Sequence, residues 1–373
     1  MTQVLFMVPL PPPITGQSLA CRSFLDALTM TPGVDVDVID TMKGSLGSRL
    51  PGPVHFLRML KFAWRGRRLG RTADVIYMNP SQSVLGNLKD LMLYWIMGPK
   101  NVGKVVLHLH GGGIRKTVYD RCRFLAWLNR RQLSRMRGLV VLGERLRHVF
   151  EGMTQDDRIH VVPNFAPDDL FLDPTEIETK FASLDPIEVL YLSNFNPEKG
   201  CFELLAAAEA LHARGADGLR FTFAGGFEEP TQEAEIRARI DALPNAELLG
   251  VIEGEERRRA LARAHVLALP SYYPYEGQPL CLIEAMASGC VLMTSDQGGI
   301  PDVFQAGING YEVQKRSQAS IEAVLLQLLD EREGLGAIAS RNREHAECYR
   351  EARYHEGLLK LCTWSGRKPL SPH

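Results

Sequence analysis

Short runs rich in valine, leucine and isoleucine recur along the chain, separated by longer stretches in which apolar residues return every three or four positions. In the first half the short runs are Val4 to Val8, Val34 to Ile39, Val75 to Met78, Val105 to Leu109 and Leu139 to Leu142. A second series follows at Val189 to Leu192, Phe221 to Ala224, Glu247 to Leu249, Val266 to Leu269 and Val291 to Thr294. Continuous apolar runs of this length suit strands buried on both faces of a parallel sheet. The amphipathic stretches between them, including Gln17 to Leu28 and Val118 to Met136, predict helices. Strand and helix in alternation predict two α/β domains, each a doubly wound sheet. Pro163, Pro167, Pro174 and Pro186, with the acids Asp168, Asp169 and Asp173, interrupt the pattern. They predict an N-terminal domain over 1–166, an exposed linker over 167–186 and a C-terminal domain over 187–349. A final helix at about 350–373 is expected to pack back on the first domain.

Length agrees with this division, since 373 residues suit two cores better than one. The apolar N-terminus lacks a basic lead-in and runs into Pro11, Pro12 and Pro13, so it reads as a first strand rather than a signal peptide. The longest apolar stretch, Leu91 to Met97, is far short of the roughly 20 residues that cross a bilayer. Seven cysteines without a Cys-x-x-Cys pair point to reduced thiols and argue against a structural zinc. A cytoplasmic protein is expected, peripheral on the inner face of the membrane.

The net charge of −1 conceals an asymmetry: residues 1–166 carry 23 Lys and Arg against 11 Asp and Glu, and residues 167–373 carry 20 against 33. An anionic partner for the first half, or opposite charges that help two domains face each other, would each account for it. The stretch His55 to Arg71 mixes Phe56, Leu57, Leu60, Phe62 and Trp64 with six cations, and Val118 to Arg137 repeats the theme. Two readings fit these segments, an interfacial helix and a core-packed helix with a solvated basic face. With the charge of the whole half, the first reading predicts contact with an anionic membrane surface or a lipid-pyrophosphate acceptor. Nothing resembles a nucleic-acid module.

Ligands of open α/β sheets sit beyond the carboxyl ends of the strands, so the segment after Val266 to Leu269 is the one to inspect. It reads PSYYPYEGQPLCLIEAMASGCVLMTSDQGGIP, Pro270 to Pro301. Glu276 lies in a loop and Glu284, eight residues on, lies about one turn into an apolar helix. Gly277 allows close backbone approach, Pro279 suits a first helical turn, and free N–H groups there can bind phosphate. Two carboxylates that merely cap and solvate one helix would share the spacing.

The segment resembles glycosyltransferase family 4, retaining enzymes of the GT-B fold. The family's Glu-x7-Glu signature stands here as Glu276 and Glu284, followed by EAMASG and by GGIP at Gly298 to Pro301. The resemblance implies two Rossmann-like doubly wound parallel-sheet domains facing across a cleft, and a nucleoside diphosphate sugar as co-substrate. It implies that Glu284 binds the nucleotide ribose, that Glu276 holds hydroxyls of the transferred sugar, and that Gly277, Gln278, Pro279 and Leu280 contact sugar and diphosphate. Upstream, YLSNFNPEKG resembles the family loop that brings an Arg and a Lys to the diphosphate. Lys199 matches the lysine, but Asn194 stands where the arginine is expected. PPPITGQ, with Gly16 at its tip, resembles the N-terminal glycine loop, and His110 in HLHGGG matches a histidine that points toward the sugar. His108 is expected on the opposite side of its strand. Asn164 resembles the residue that closes the first domain, while FAGG at Phe223 to Gly226 and the run Leu249 to Pro270 resemble the walls of the base and ribose pocket.

The implied reaction moves a sugar, with retention, to a hydroxyl of a glycan or lipid-linked acceptor in polysaccharide or glycolipid biosynthesis, a hexosyltransferase-type activity. No cofactor and no metal is expected, and no Asp-x-Asp site lies near the pocket. A non-catalytic nucleotide-sugar-binding protein, an epimerase and a phosphorylase of the same fold are the alternatives.

Overall fold

The computed structural model describes residues 1–41, 52–227 and 230–363; the side chains of 52–56, 58 and 230 lie outside that description, among them those of His55 and Phe56. Residues 364–373 of the expected final helix also lie outside it. The chain forms two compact units, Met1–Pro163 joined by the described residues from Ala352, and Asn164–Glu351.

The first unit holds six strands: β1 (Thr2–Val8), β2 (Val34–Asp40), β3 (Val75–Met78), β4 (Val105–His108), β5 (Gly138–Val141) and β6 (Ile159–Val161). They pair in parallel in the order β2-β1-β3-β4-β5-β6. The second unit holds β7 (Ile187–Leu192), β8 (Leu219–Ala224), β9 (Ala246–Gly250), β10 (Val266–Leu269), β11 (Val291–Thr294) and β12 (Gly310–Glu312). Its order is β12-β11-β10-β7-β8-β9, again parallel. Each sheet is therefore doubly wound and Rossmann-like, and two such units in one chain are the GT-B combination. The direction of winding reverses beside β1 in the first sheet and between β7 and β10 in the second. These reversals open a crevice at the strand ends, which fixes where ligands can enter.

Packing follows the sequence pattern. β3, β4, β5, β10 and β11 are buried along their whole length, as strands covered on both faces must be. The Leu280–Ala287 helix is likewise almost entirely buried, Glu284 included. Strands β6 and β12, three residues each, are too short to stand out as apolar runs.

Two expectations are corrected. The stretch Val118 to Met136 is not one helix: a π-turn at Arg115–Tyr119 and a helix at Arg123–Leu133 are separated by Cys122, whose backbone is extended. Residues 167–186 are not an exposed linker. They carry a helix, Pro174–Phe181, capped by Asp173 and Glu176, and bury Leu170, Leu172 and Ile177 within the second unit. The proline that seemed to interrupt structure sits in the first helical turn, where its missing N–H costs nothing.

Close backbone approach is what makes two glycines obligatory near the second crevice. A methyl on Gly200, at φ +80°, would lie 2.3 Å from the Pro270 carbonyl oxygen, and one on Gly225 would lie 1.9 Å from that of Ser193. Gly215, at φ +69°, faces open space. Gly215→Ala should therefore cost only about 1 kcal/mol of backbone strain, whereas Gly225→Ala should cost about 3 kcal/mol or more because the loops after β7 and β8 must separate. Urea midpoints of the two variants measure the difference.

Candidate active site

The loops after β7 and β10 meet at the reversal point of the second sheet. After β7, the Asn196 side chain accepts from the Glu198 N–H at 2.9 Å and starts a single turn, Pro197–Lys199, that Gly200 ends in the left-handed conformation. After β10, the Tyr272 N–H donates to the Glu198 carbonyl at 2.7 Å and clips the two loops together. The GGIP turn closes from the other side: Gly298, at φ +57°, lies so near that a methyl there would meet the Glu276 carbonyl oxygen at 2.3 Å.

These contacts bring Lys199 against Glu276. The ammonium donates to both carboxylate oxygens at 2.8 Å and lies 5.0 Å from the centre of the Tyr273 ring. Glu276 also accepts from the Ser271 hydroxyl at 2.6 Å. A cation and a hydroxyl donor together offset the desolvation of this buried carboxylate.

Glu284 lies on the adjoining helix and has a different partner. The guanidinium of Arg257, on the helix Gly254–Arg263, donates to it. Burial pushes the Glu284 carboxyl upward and Arg257 opposes that shift. Burial alone would lower Arg257, but the Glu284 charge outweighs it and the guanidinium is held above its ordinary value. Its Nε is buried without an acceptor. Cys281 lies between the pairs: burial pushes its thiol up to about 12, and it feels the charges of Glu284, Lys199, Glu276 and Arg257.

Gly277, Gln278, Pro279 and Leu280 connect the two carboxylates and are all buried. Gln278 is pinned from within the same unit, its side-chain oxygen accepting from the Asn164 N–H at 2.6 Å and its carbonyl from the Asn164 side-chain amide at 2.7 Å. Pro279 is the N-cap of the Leu280–Ala287 helix. The first-turn N–H groups of that helix have a positive field and few partners of their own, as an anion site requires. Asn194 is exposed on the β7 loop, where its side-chain oxygen accepts from the Gly226 N–H at 3.3 Å. No charge replaces the expected arginine at that position.

Gly16 and His110 belong to the first unit. Gly16 is exposed and opens the helix Gly16–Met30 beside the reversal at β1, behind a Thr15–Ser18 capping box. His110 follows β4, and its Nε2 is buried without a partner. Burial pushes it down to about 3, so the ring is neutral at neutral pH and can offer a hydrogen bond but not a charge. His108 does not point away from it. The rings are 4.0 Å apart, because residues two apart share one face of a strand, and His108 faces the Tyr77 hydroxyl.

The residue that sequence reading passed over is Arg257. Its signal was faint, one arginine in the run Arg257, Arg258, Arg259 on a helix that looks solvated. Only the fold shows that the first of the three turns inward. Among the described residues no three His, Cys, Asp or Glu side chains gather as a metal site would need.

A doubly wound parallel sheet whose reversal point carries two ion pairs beside a helix N-terminus is an α/β site of the kind found at the carboxyl ends of open sheets. Residues 173–345 match the family described as glycosyl transferases group 1. The chain is 27% identical over 147 residues to the amylovoran biosynthesis glycosyltransferase AmsK of Erwinia amylovora, covering 38% of this chain and 36% of that protein. It is 30% identical over 146 residues to a glycogen synthase of Mycobacterium tuberculosis, covering 39% and 34%. With the D-inositol 3-phosphate glycosyltransferase of Nocardia farcinica it shares 29% over 216 residues, 55% and 47%. The matched segments thus span about a third to a half of these relatives. Among solved structures, Anabaena Alr3699/HepE in complex with UDP-glucose has a TM-score of 0.72 at 16% identity, covering 97% of this chain and all of that one. WaaG, a glycosyltransferase involved in lipopolysaccharide biosynthesis, has a TM-score of 0.68 at 16% identity, with the same coverage. These structures share the fold.

The buried histidines give a pH signature. His108 and His110 both have folded values depressed by burial, so the unfolded chain takes up protons below about pH 6.5 that the fold refuses. Stability of the first unit should fall as pH drops from 7 toward 5, by up to about 1.4 kcal/mol per pH unit for each histidine. His110→Gln should make the loss shallower in urea unfolding at the two pH values.

Proposed function

We propose that this protein transfers a sugar, with retention, from a nucleoside diphosphate sugar to a hydroxyl of a glycan or lipid-linked acceptor in polysaccharide or glycolipid biosynthesis. The observation that carries this reading is the pairing of Lys199 with Glu276 and of Arg257 with Glu284 on either side of one helix N-terminus. Neighbouring structures described with UDP and with UDP-glucose support a nucleotide-sugar partner.

In this reading the diphosphate sits on the first-turn N–H groups of the Leu280–Ala287 helix. Glu284 takes the ribose hydroxyls and Glu276 the hydroxyls of the sugar. Each carboxylate is oriented by its cation before the donor arrives, which reduces reorganisation on binding. Lys199 then shares its protons with the departing phosphate. The bond from the anomeric carbon to the phosphate oxygen breaks, the acceptor oxygen bonds on the same face, and its proton passes to the leaving diphosphate. His110, neutral, would donate to a sugar hydroxyl, and Gly16 would allow close approach of the chain. Arg257 supplies the second cation of the donor site, which answers the charge missing at Asn194. A binding protein without catalysis would hold the donor tightly but neither transfer nor hydrolyse the sugar.

Three substitutions test this reading. Glu284→Ala would strand a largely buried guanidinium and risk the fold, so Glu284→Gln is the cleaner change. It and Lys199→Gln, which keeps an amide donor beside Glu276, should weaken nucleoside diphosphate binding about tenfold or more, the value of a hydrogen bond to a charged group. Wild-type affinity and turnover in both variants would refute the site. Asn194→Arg adds a charge-assisted contact and should tighten binding in isothermal titration; an unchanged affinity would place Asn194 outside the phosphate site. Asn196 is unsuitable as a control, because its side chain starts the turn that carries Lys199.

A further inference from the structure

One surface of the first unit carries none of the side chains assigned to the proposed donor site. The connections from β2 to β3, β3 to β4 and β4 to β5 all run in one direction across the sheet, so right-handed crossovers place the helices Gly52–Thr72, Val84–Met97 and Arg123–Leu133 on one side. The three are tied together: Arg67 donates to the Ile96 carbonyl, and Asn87 and Asn129 exchange amide bonds at 2.9 and 2.8 Å. Their inner faces, through Ala63, Leu93, Met97, Leu125 and Leu133, complete the core.

The outer faces are unlike an ordinary solvated surface. Leu85, Leu88 and Trp95 stand out from the second helix, Leu85 at 81% and Trp95 at 79% exposure. Phe124 and Trp127 project from the third helix, and Leu57 and Trp64 from the first. Seven of the thirteen large exposed apolar side chains among the described residues thus belong to one helical layer. Three of the chain's four tryptophans are among them.

The same segment is strongly cationic. Residues 52–137 carry 17 Lys and Arg against three acids, Asp74, Asp90 and Asp120, and Asp90 is buried. Arg67 lies 5.7 Å from the Trp64 ring centre and Arg131 lies 5.9 Å from that of Trp127. Basic groups are thereby held beside indoles, the arrangement suited to the boundary between phosphates and acyl chains.

We propose that this face docks on an anionic lipid bilayer, the apolar side chains entering the interface while the surrounding arginines and lysines meet lipid phosphates. Charge selects the occupant. A second copy of the same face would bring two strongly positive surfaces together, and a neutral bilayer would leave the cations unused. The inference stands apart from the donor reading, since none of these side chains belongs to the second unit.

Flotation of the full chain with vesicles tests it, using phosphatidylcholine alone and phosphatidylcholine mixed with phosphatidylglycerol. The protein should float with the mixed vesicles and not with the neutral ones. Binding should weaken as salt is raised, and tryptophan fluorescence should shift to the blue on binding. Combining Leu85→Ser, Trp95→Ser and Trp127→Ser should lower partition at least about tenfold, while Leu326→Ser, an exposed residue of the second unit, should not. Titration of the triple variant with a nucleoside diphosphate reports its fold and keeps the donor reading separate. The proposal is overturned if the wild type stays unbound with mixed vesicles, or if the triple variant floats like it. A wild-type dimer that the triple substitution dissociates, with no vesicle binding, would overturn it equally.

Discussion

Burying a carboxylate in a crevice of low polarity is affordable only beside a cation, and the second unit meets that condition twice within one site. Glu276 takes Lys199 and the Ser271 hydroxyl; Glu284 takes Arg257. Everything local serves these pairs. Gly200 and Gly298 let three loops approach within backbone contact, and Asn164 fixes Gln278 so that the segment between the carboxylates keeps its course. Removing either cation would leave a buried charge alone, at a cost of several kcal/mol. The pairs are therefore both a structural requirement and a store of oriented charge that a ligand can draw on.

Much of this was legible beforehand, for identifiable reasons. Most of the strands announced themselves because a strand covered on both faces must be apolar throughout, whereas the edge strands β2 and β9 carry acids and are part-exposed. β6 and β12 did not announce themselves, being three residues each at the sheet edges. Proline was misread at Pro174, where it opens a helix, and periodicity overran the break at Cys122. Glu276, Glu284 and Lys199 stood out because motif spacing survives in sequence, and the fold puts Lys199 on Glu276. Arg257 stayed hidden because its pairing with Glu284 depends on which way one side of a charged helix faces, and a run of three arginines carries no such direction. His108 was placed on the wrong side by miscounting a period of two.

The charge imbalance between the halves acquires a location. The excess cations concentrate over 52–137, ten of the 17 on three helices whose outer faces also expose leucine, phenylalanine and tryptophan. The first sheet's strands need no such surface to fold, since the inner faces of the same helices fill the core. An apolar surface kept exposed at a cost to solubility calls for a partner. Among the described residues no helix is long and apolar enough to cross a membrane.

The central claim is that the two ion pairs of the second unit bracket a nucleoside diphosphate. A crystal structure with a nucleoside diphosphate bound tests it most directly. The account predicts diphosphate oxygens on the first-turn N–H groups of the Leu280–Ala287 helix and on the Lys199 ammonium, with the ribose hydroxyls at Glu284. Nucleotide bound elsewhere, with both ion pairs undisturbed and the helix N-terminus vacant, would contradict it.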